Sequence, residues 1–262
     1  MKPYVIAVCH QKGGVAKTTT VLSLGASLAE QGHPTLLVDL DPSGNLTAGL
    51  GLNPRQVNKS ATDILLGNAN LAHVSKSTSI DNLSIVPSCP DMAAASHVLA
   101  VRPNYARILR RGIELGNLSS KFIIIDCPPS LAAITTTALT AADLAVVPIQ
   151  CEFFSIQAIN TISRYIGQVR NEYNALLSYK MLITMFDRRG KLHTQLYEKL
   201  KIYYPSAIFD TAIGFDSKLR ASQIAGQPVT IFAPRTRATR QYRSFAQEIN
   251  TYVQERRILQ PN

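Results

Sequence analysis

Short apolar runs recur along the chain, separated by stretches with helical spacing. Tyr4–Cys9, Thr35–Asp39, Leu83–Val86, Lys121–Asp126, Leu144–Ile149 and Lys180–Met185 read as strands, of which Tyr4–Cys9 and Lys121–Asp126 are the clearest buried ones. Ala207–Phe209 is a shorter strand of the same kind. Between them, apolar residues return every three or four positions. This spacing predicts helices at about Thr18–Gln31, Ala61–Leu66, Asp91–Leu99, Asn104–Glu114, Ala132–Ala141, Ser155–Asn171, Leu192–Tyr203 and Ser217–Ile224. Gly32 and Pro34 stop the first helix. A Gly/Pro stretch at Gly226–Pro234 precedes a last helix, about Thr239–Glu255, with Tyr242, Phe245, Ala246, Ile249 and Val253 on one face. Strand, helix, strand within the opening 39 residues is a βαβ unit, so its strands should be parallel with a right-handed crossover. Continued alternation predicts one doubly wound, mostly parallel α/β sheet flanked by helices, a single domain over 1–262.

Composition adds a bias to this picture. At 46% hydrophobic and 17% charged, a 262-residue chain can bury a substantial core. No apolar run reaches the ~18–20 residues of a membrane span, and Lys2 precedes too short an apolar stretch for a signal peptide. A cytoplasmic protein is expected. Cys9, Cys89, Cys127 and Cys151 form no C-x-x-C pair and read as reduced, packed thiols. The net charge of +10 is uneven. Residues 1–150 hold 11 Lys/Arg against 9 Asp/Glu, whereas residues 151–262 hold 16 against 8. The basic helical region at about 216–257 therefore points to a polyanion partner.

The candidate chemistry sits where strands end. His10–Thr19, HQKGGVAKTT, lies between the first strand and the first helix. Backbone N–H groups from Gly13 through Val15 and Ala16 to Thr19 can converge there on phosphate. Lys17 adds a charge for the β/γ-phosphates, and the Thr18 hydroxyl a ligand for Mg²⁺. The loop departs from G-x-x-x-x-G-K-[ST], with Gln11 and Ala16 where glycines are usual, and it adds Lys12. Asp126 ends an apolar strand, where a carboxylate needs a cation or hydrogen-bonded water, so it reads as a Mg²⁺ ligand. Asp41 follows Lys17 by one βα-β crossing and suits the activation of water. Asp39, two residues earlier, is assigned to Mg²⁺ through bound water or to a supporting role behind the metal's ligands.

Together KGGVAKTT, LLVDLDPSGNLT, FIIIDCPPS, VVPIQCEFF and LITMFDRR resemble the deviant Walker ATPases of the ParA/MinD family, a branch of the P-loop NTPases. The resemblance runs from about Val5 onward and weakens after Tyr203. It implies ATP and Mg²⁺ as cofactors and a homodimer formed on ATP binding. Lys12 matches the signature lysine that reaches the partner's phosphates, Asp41 the hydrolytic aspartate and Asp126 the Walker-B residue. The family's Ile-Pro-Arg-Asn segment, which often borders adenine, stands here as Ile213-Gly214-Phe215-Asp216. Met185, Asp187 and Phe215 are the base-contact candidates.

The branch follows from the tail. MinD-like members bind membrane through an amphipathic tail, but this last helix has core-docking spacing and a polar exit, so no membrane partner is expected. ParA-like members bind DNA non-specifically. Lys218, Arg220, Arg235, Arg237 and Arg240 are the candidate DNA contacts, strongly salt-sensitive if so. The reading is a nucleoid-associated ATPase that positions a plasmid, chromosome or carboxysome through a cargo adaptor that stimulates hydrolysis. Ser43 and the Ile213–Asp216 segment are similar to McdA-type carboxysome-spacing relatives. The alternatives are a MinD-like positioning ATPase and a nucleotide-dependent reductase or metal-cluster carrier.

Overall fold

The computed structural model describes residues 2–152 and 155–259. Phe153 and Phe154 of the fourth motif, and the Gln260–Asn262 exit, lie outside them. Strands β1 (Tyr4–Val8), β2 (Thr35–Asp39), β3 (Lys76–Ser77), β4 (Leu83–Val86), β5 (Phe122–Asp126), β6 (Leu144–Gln150), β7 (Ser178–Phe186) and β8 (Ile208–Gly214) form one sheet. Their order is β3-β4-β2-β5-β1-β6-β7-β8, and every pairing is parallel except that of β3 with β4. The mostly parallel α/β sheet read from the sequence is thus the observed one.

Helices cover both faces: α1 (Lys17–Glu30), α2 (Asn45–Ala48), α3 (Ala61–Leu65), α4 (Leu71–Val74), α5 (Met92–Ala100), α6 (Ile108–Leu115), α7 (Ala133–Ala141), α8 (Ser155–Glu172), α9 (Lys191–Tyr203), α10 (Ser217–Ile224), α11 (Val229–Phe232) and α12 (Arg237–Leu259). The period-2 alternation of β1 splits its side chains between two cores. Tyr4, Ile6 and Val8 join α1 and α12 residues on one side, while Val5 and Ala7 join residues of α3–α9 on the other. Gly25 lets α1 lie close to β2, because a Cβ there would meet Leu37 Cδ2 at 2.5 Å.

Several elements differ from the expected ones. The polar 52–82 stretch holds α3, α4 and β3 rather than one helix. Side-chain caps build these short pieces: Ser60 and Asp63 form a capping box, and Asn70 accepts from the His73 N–H. β8 runs on to Gly214 as an edge strand, with a shifted register against β7. The Gly/Pro stretch contains α11, started by Pro228. α12 begins earlier and ends later than its apolar stripe; its first turn is held both by polar ties and by the burial of Ala238 and Thr239.

The chain goes from β1 outward to β2 and β4, returns to β5 beside β1, and then crosses β1 to β6, β7 and β8. Ligand crevices in open α/β sheets lie at such a reversal, beyond the carboxyl ends of the strands.

Candidate functional site

The loop after β1 ends at Ala16, which takes the left-handed conformation (φ 70°, ψ 30°) and N-caps α1. Gly14 is also left-handed (φ 75°). Glycine reaches that region freely, whereas an alanine there costs about 1–2 kcal/mol. Ala16 therefore holds the backbone shape a glycine would give, at some strain. No side chain caps the first turn of α1, and no acidic residue lies in it. Its free N–H groups and the positive end of the helix dipole serve an external anion.

Lys17 is buried, and its ammonium lies 3.4 Å from the Lys12 carbonyl. Val15 is buried beneath the loop, where its carbonyl accepts from Thr184 Oγ1 at 3.1 Å. The Lys12 ammonium turns away from the loop. It pairs with Glu152 at 2.6 Å and donates to Gln150 at 3.4 Å. Gln150 in turn donates to the Gly14 carbonyl at 3.1 Å and contacts Met185 Sδ at 2.9 Å. His10 accepts the Lys12 N–H at 2.9 Å. Burial, Lys17 and Lys12 push its pKa down to about 4, which keeps that ring nitrogen an acceptor.

Three acids stand beside the loop. Asp39 and Asp126 are register partners at the ends of β2 and β5, and both are fully buried. Neither Asp126 carboxylate oxygen has a hydrogen-bond partner among the described residues. Burial, and then the Asp39 charge, raise its pKa well above the usual range; the nearby Thr18 hydroxyl and Lys17 oppose this. Such a pair is stable when ionised only beside a cation. The unpartnered oxygens, with Thr18 next to them, form the donor set a hard cation takes.

Asp39 is held by three hydrogen bonds of its own. Its oxygens accept from the Thr47 hydroxyl at 2.7 Å, the Thr47 N–H at 2.9 Å and the Asp41 N–H at 3.1 Å. These bonds make it the post that holds α2 and the Asp41 loop. Burial still lifts its pKa to about 6. Asp41 is half-buried, faces the cavity, and accepts the Ser43 N–H at 2.9 Å.

Asp41 and the phosphate loop open onto a cavity of about 470 Å³, while the buried Asp39 and Asp126 lie behind its lining. Gly13, Gly14, Ala16, Lys17, Thr18 and Thr19 line one end, with Asp41, Ser43 and Asn45 beside them. Met185, Ile213, Gly214, Phe215, Asp216 and Leu219 line the other. Met185 and Phe215, two of the base-contact candidates, thus both line the cavity. Asp187 does not line the cavity; it accepts the Arg189 N–H at 3.0 Å and pairs with that side chain at the surface. Phe215 is 57% exposed, an unusual state for so large an apolar side chain.

All five basic residues assigned to DNA are exposed, and Lys218 and Arg235 have no side-chain partner among the described residues. Arg220 instead lines the cavity. Arg237 donates to the Phe215 carbonyl at 2.6 Å, and Arg240 to the Arg235 carbonyl at 2.8 Å. Sequence reasoning missed Thr47, Gln150 and Glu152. It also missed Gln223, which donates to Thr19 Oγ1 at 2.8 Å and ties α10 to α1. Glu152 stood in a quoted motif; its only signal was a charge beside a strand end.

A family model described as an AAA domain, AAA_31, matches residues 3–179. The sporulation initiation inhibitor protein Soj of Bacillus subtilis is 36% identical over 246 residues, covering 94% of this chain and 97% of that protein. The chromosome partitioning protein ParA of Caulobacter vibrioides is 32% identical over 255 residues, covering 96% of each. Among solved structures, a cobyrinic acid a,c-diamide synthase of Mycobacterium smegmatis with bound ATP analog and magnesium superposes with a TM-score of 0.82. It is 32% identical, and the match spans 94% of this chain and 93% of that one. An apo McdA of Cyanothece shares the fold, with a TM-score of 0.82 at 20% identity over 93% of this chain and 99% of that one. With the phosphate loop, the strand-end acids and these relatives in place, the chain belongs to the AAA_31 family and, within it, to the ParA/Soj-type deviant Walker ATPases.

Proposed function

We propose that the chain binds and hydrolyses ATP with Mg²⁺, dimerises on ATP, and binds DNA without reading its sequence. Through an adaptor that stimulates hydrolysis, it then partitions or positions a cargo at the nucleoid. The observation that carries this reading is the buried, unpartnered Asp126 carboxylate beside the uncapped N-terminus of α1. The loop N–H groups and Lys17 hold the triphosphate, while Thr18 and Asp126 hold the cation. When bound, Mg²⁺ supplies positive charge that neutralises the phosphates and offsets the buried acids. Asp41 orients the attacking water, and Asp39 fixes Asp41 through its backbone N–H. Lys12 acts across a dimer interface as an arginine finger does, after leaving Glu152.

Lys218 and Arg235 supply sequence-independent phosphate contacts. The Soj and ParA relatives favour DNA as the transported cargo over a carboxysome, since the McdA likeness is one of fold. A MinD-like membrane role is less favoured. No helix among the described residues is long and apolar enough to cross a membrane, and the apolar stripe of α12 is buried in the core. A nucleotide-dependent reductase or metal-cluster carrier needs an accessible cysteine. All four cysteines are buried, and burial pushes the Cys9, Cys127 and Cys151 thiols up.

A DNA-shift assay with ATP, with ADP and without nucleotide tests the proposal. A shift with ATP alone, equal for unrelated sequences and lost with rising salt, is expected. No shift in any state overturns the DNA role.

A further inference from the structure

The basic residues near the start of α12 do different work. Arg237 Nη2 donates to the Phe215 carbonyl at 2.6 Å, a short charge-assisted bond. Its guanidinium lies over Gly214, where a built Cβ would meet Nη2 at 3.1 Å, so a side chain at 214 would crowd it. One turn later, Gln241 Oε1 accepts the Gly214 N–H at 3.0 Å. The Ala238 N–H donates to Asp216 Oδ2 at 3.3 Å. A single helical turn thus grips three consecutive residues, 214–216, from behind. Tyr242 roots the same turn on the phosphate helix, with its hydroxyl 3.3 Å from Thr20 Oγ1.

What this turn holds in place is the apolar end of the cavity. Phe215 is kept exposed there beside Met185 and Leu219, a flat face suited to a heteroaromatic base. Arg237 is itself exposed, but its Nη2 is committed to the Phe215 carbonyl, whereas the side chains of Arg235 and Lys218 are held by nothing among the described residues.

We infer that Arg237 is a positioning residue for the nucleotide base, setting the 214–216 wall, and not a DNA contact. The inference rests on the reading of the cavity as an ATP site. It assigns base discrimination to a wall that α12 props from outside the cavity.

The test uses the full chain and a fluorescent ATP analogue, with ATP, GTP and inorganic tripolyphosphate as competitors. Wild type is expected to prefer ATP to GTP. Arg237→Gln should weaken ATP about tenfold and flatten that preference, while tripolyphosphate competes as before. Arg237→Lys, which keeps a donor, should recover part of both. The salt slope of DNA binding at saturating ATP should not change in Arg237→Gln, but should fall by about one in Arg235→Gln. Arg237→Gln binding ATP as wild type does, or losing ATP and tripolyphosphate equally, overturns the inference. So does a salt slope that falls in Arg237→Gln. A wild type that binds tripolyphosphate but shows no base preference overturns it too. A wild type that binds no ATP at all overturns the ATP reading itself, and that result is distinct from the others.

Discussion

The two ends of the cavity are built in opposite ways. The phosphate end is local: loops directly following β1, β2 and β5 carry its side chains, and strand register brings the acids together. The apolar end is remote. Its wall at 214–216 follows an edge strand with irregular register and is held by α12, a helix packed on α1 and β8. Electrostatic strain is stored at the first end, in two buried carboxylates. At the second, packing and hydrogen bonds give the shape. A locally coded site tolerates changes elsewhere in the fold, whereas a propped site depends on whatever holds the prop.

Removing the prop should have the largest effect. Phe245 is fully buried on α12 and meets Phe209 of β8 edge-on at 5.0 Å between ring centroids. Phe245→Ala should lower stability by about 3–5 kcal/mol, read as a lower denaturant midpoint. An unchanged midpoint breaks the claim that α12 anchors the edge. Asp126→Ala should do the reverse at the phosphate end. Hydrolysis should drop roughly 100- to 1,000-fold, while the nucleotide-free melting temperature holds or rises because a buried like-charge pair is gone. A melting temperature that falls by several degrees would mean that Asp126 is structural.

Ala16→Gly should relieve the left-handed strain and stabilise the chain by roughly 1 kcal/mol, a rise of about 2–4 °C. A fall would mean that the methyl group packs usefully. Glu152→Gln should act least. It releases the half-exposed Lys12, lowering the ATP concentration for half-maximal dimerisation about two- to fivefold, as read by light scattering. An unchanged threshold removes Glu152 as a brake.

The same contrast explains what the sequence disclosed. Lys17, Thr18, Asp41 and Asp126 were legible because spacing after a strand fixes where a side chain goes. The tie between Asp39 and Thr47 was not legible because Thr47 sits on α2, too short to have a periodic signature. Asp187 was drawn into the site by its place near the end of β7, yet its loop turns outward onto Arg189. Arg220 and Arg237 looked like their basic neighbours. Charge density reports how many cations a helix carries, not which one is tied to a carbonyl or borders a cavity. Position 16 could be flagged, since only backbone angles show that alanine keeps the glycine shape there.

The long stretch of chain between Lys17 and Arg237 means that one cavity depends on two parts of the sequence that can change separately. A substitution in α12 that shifts residues 214–216 would reshape the cavity while leaving the phosphate loop, and the helix it opens, chemically untouched.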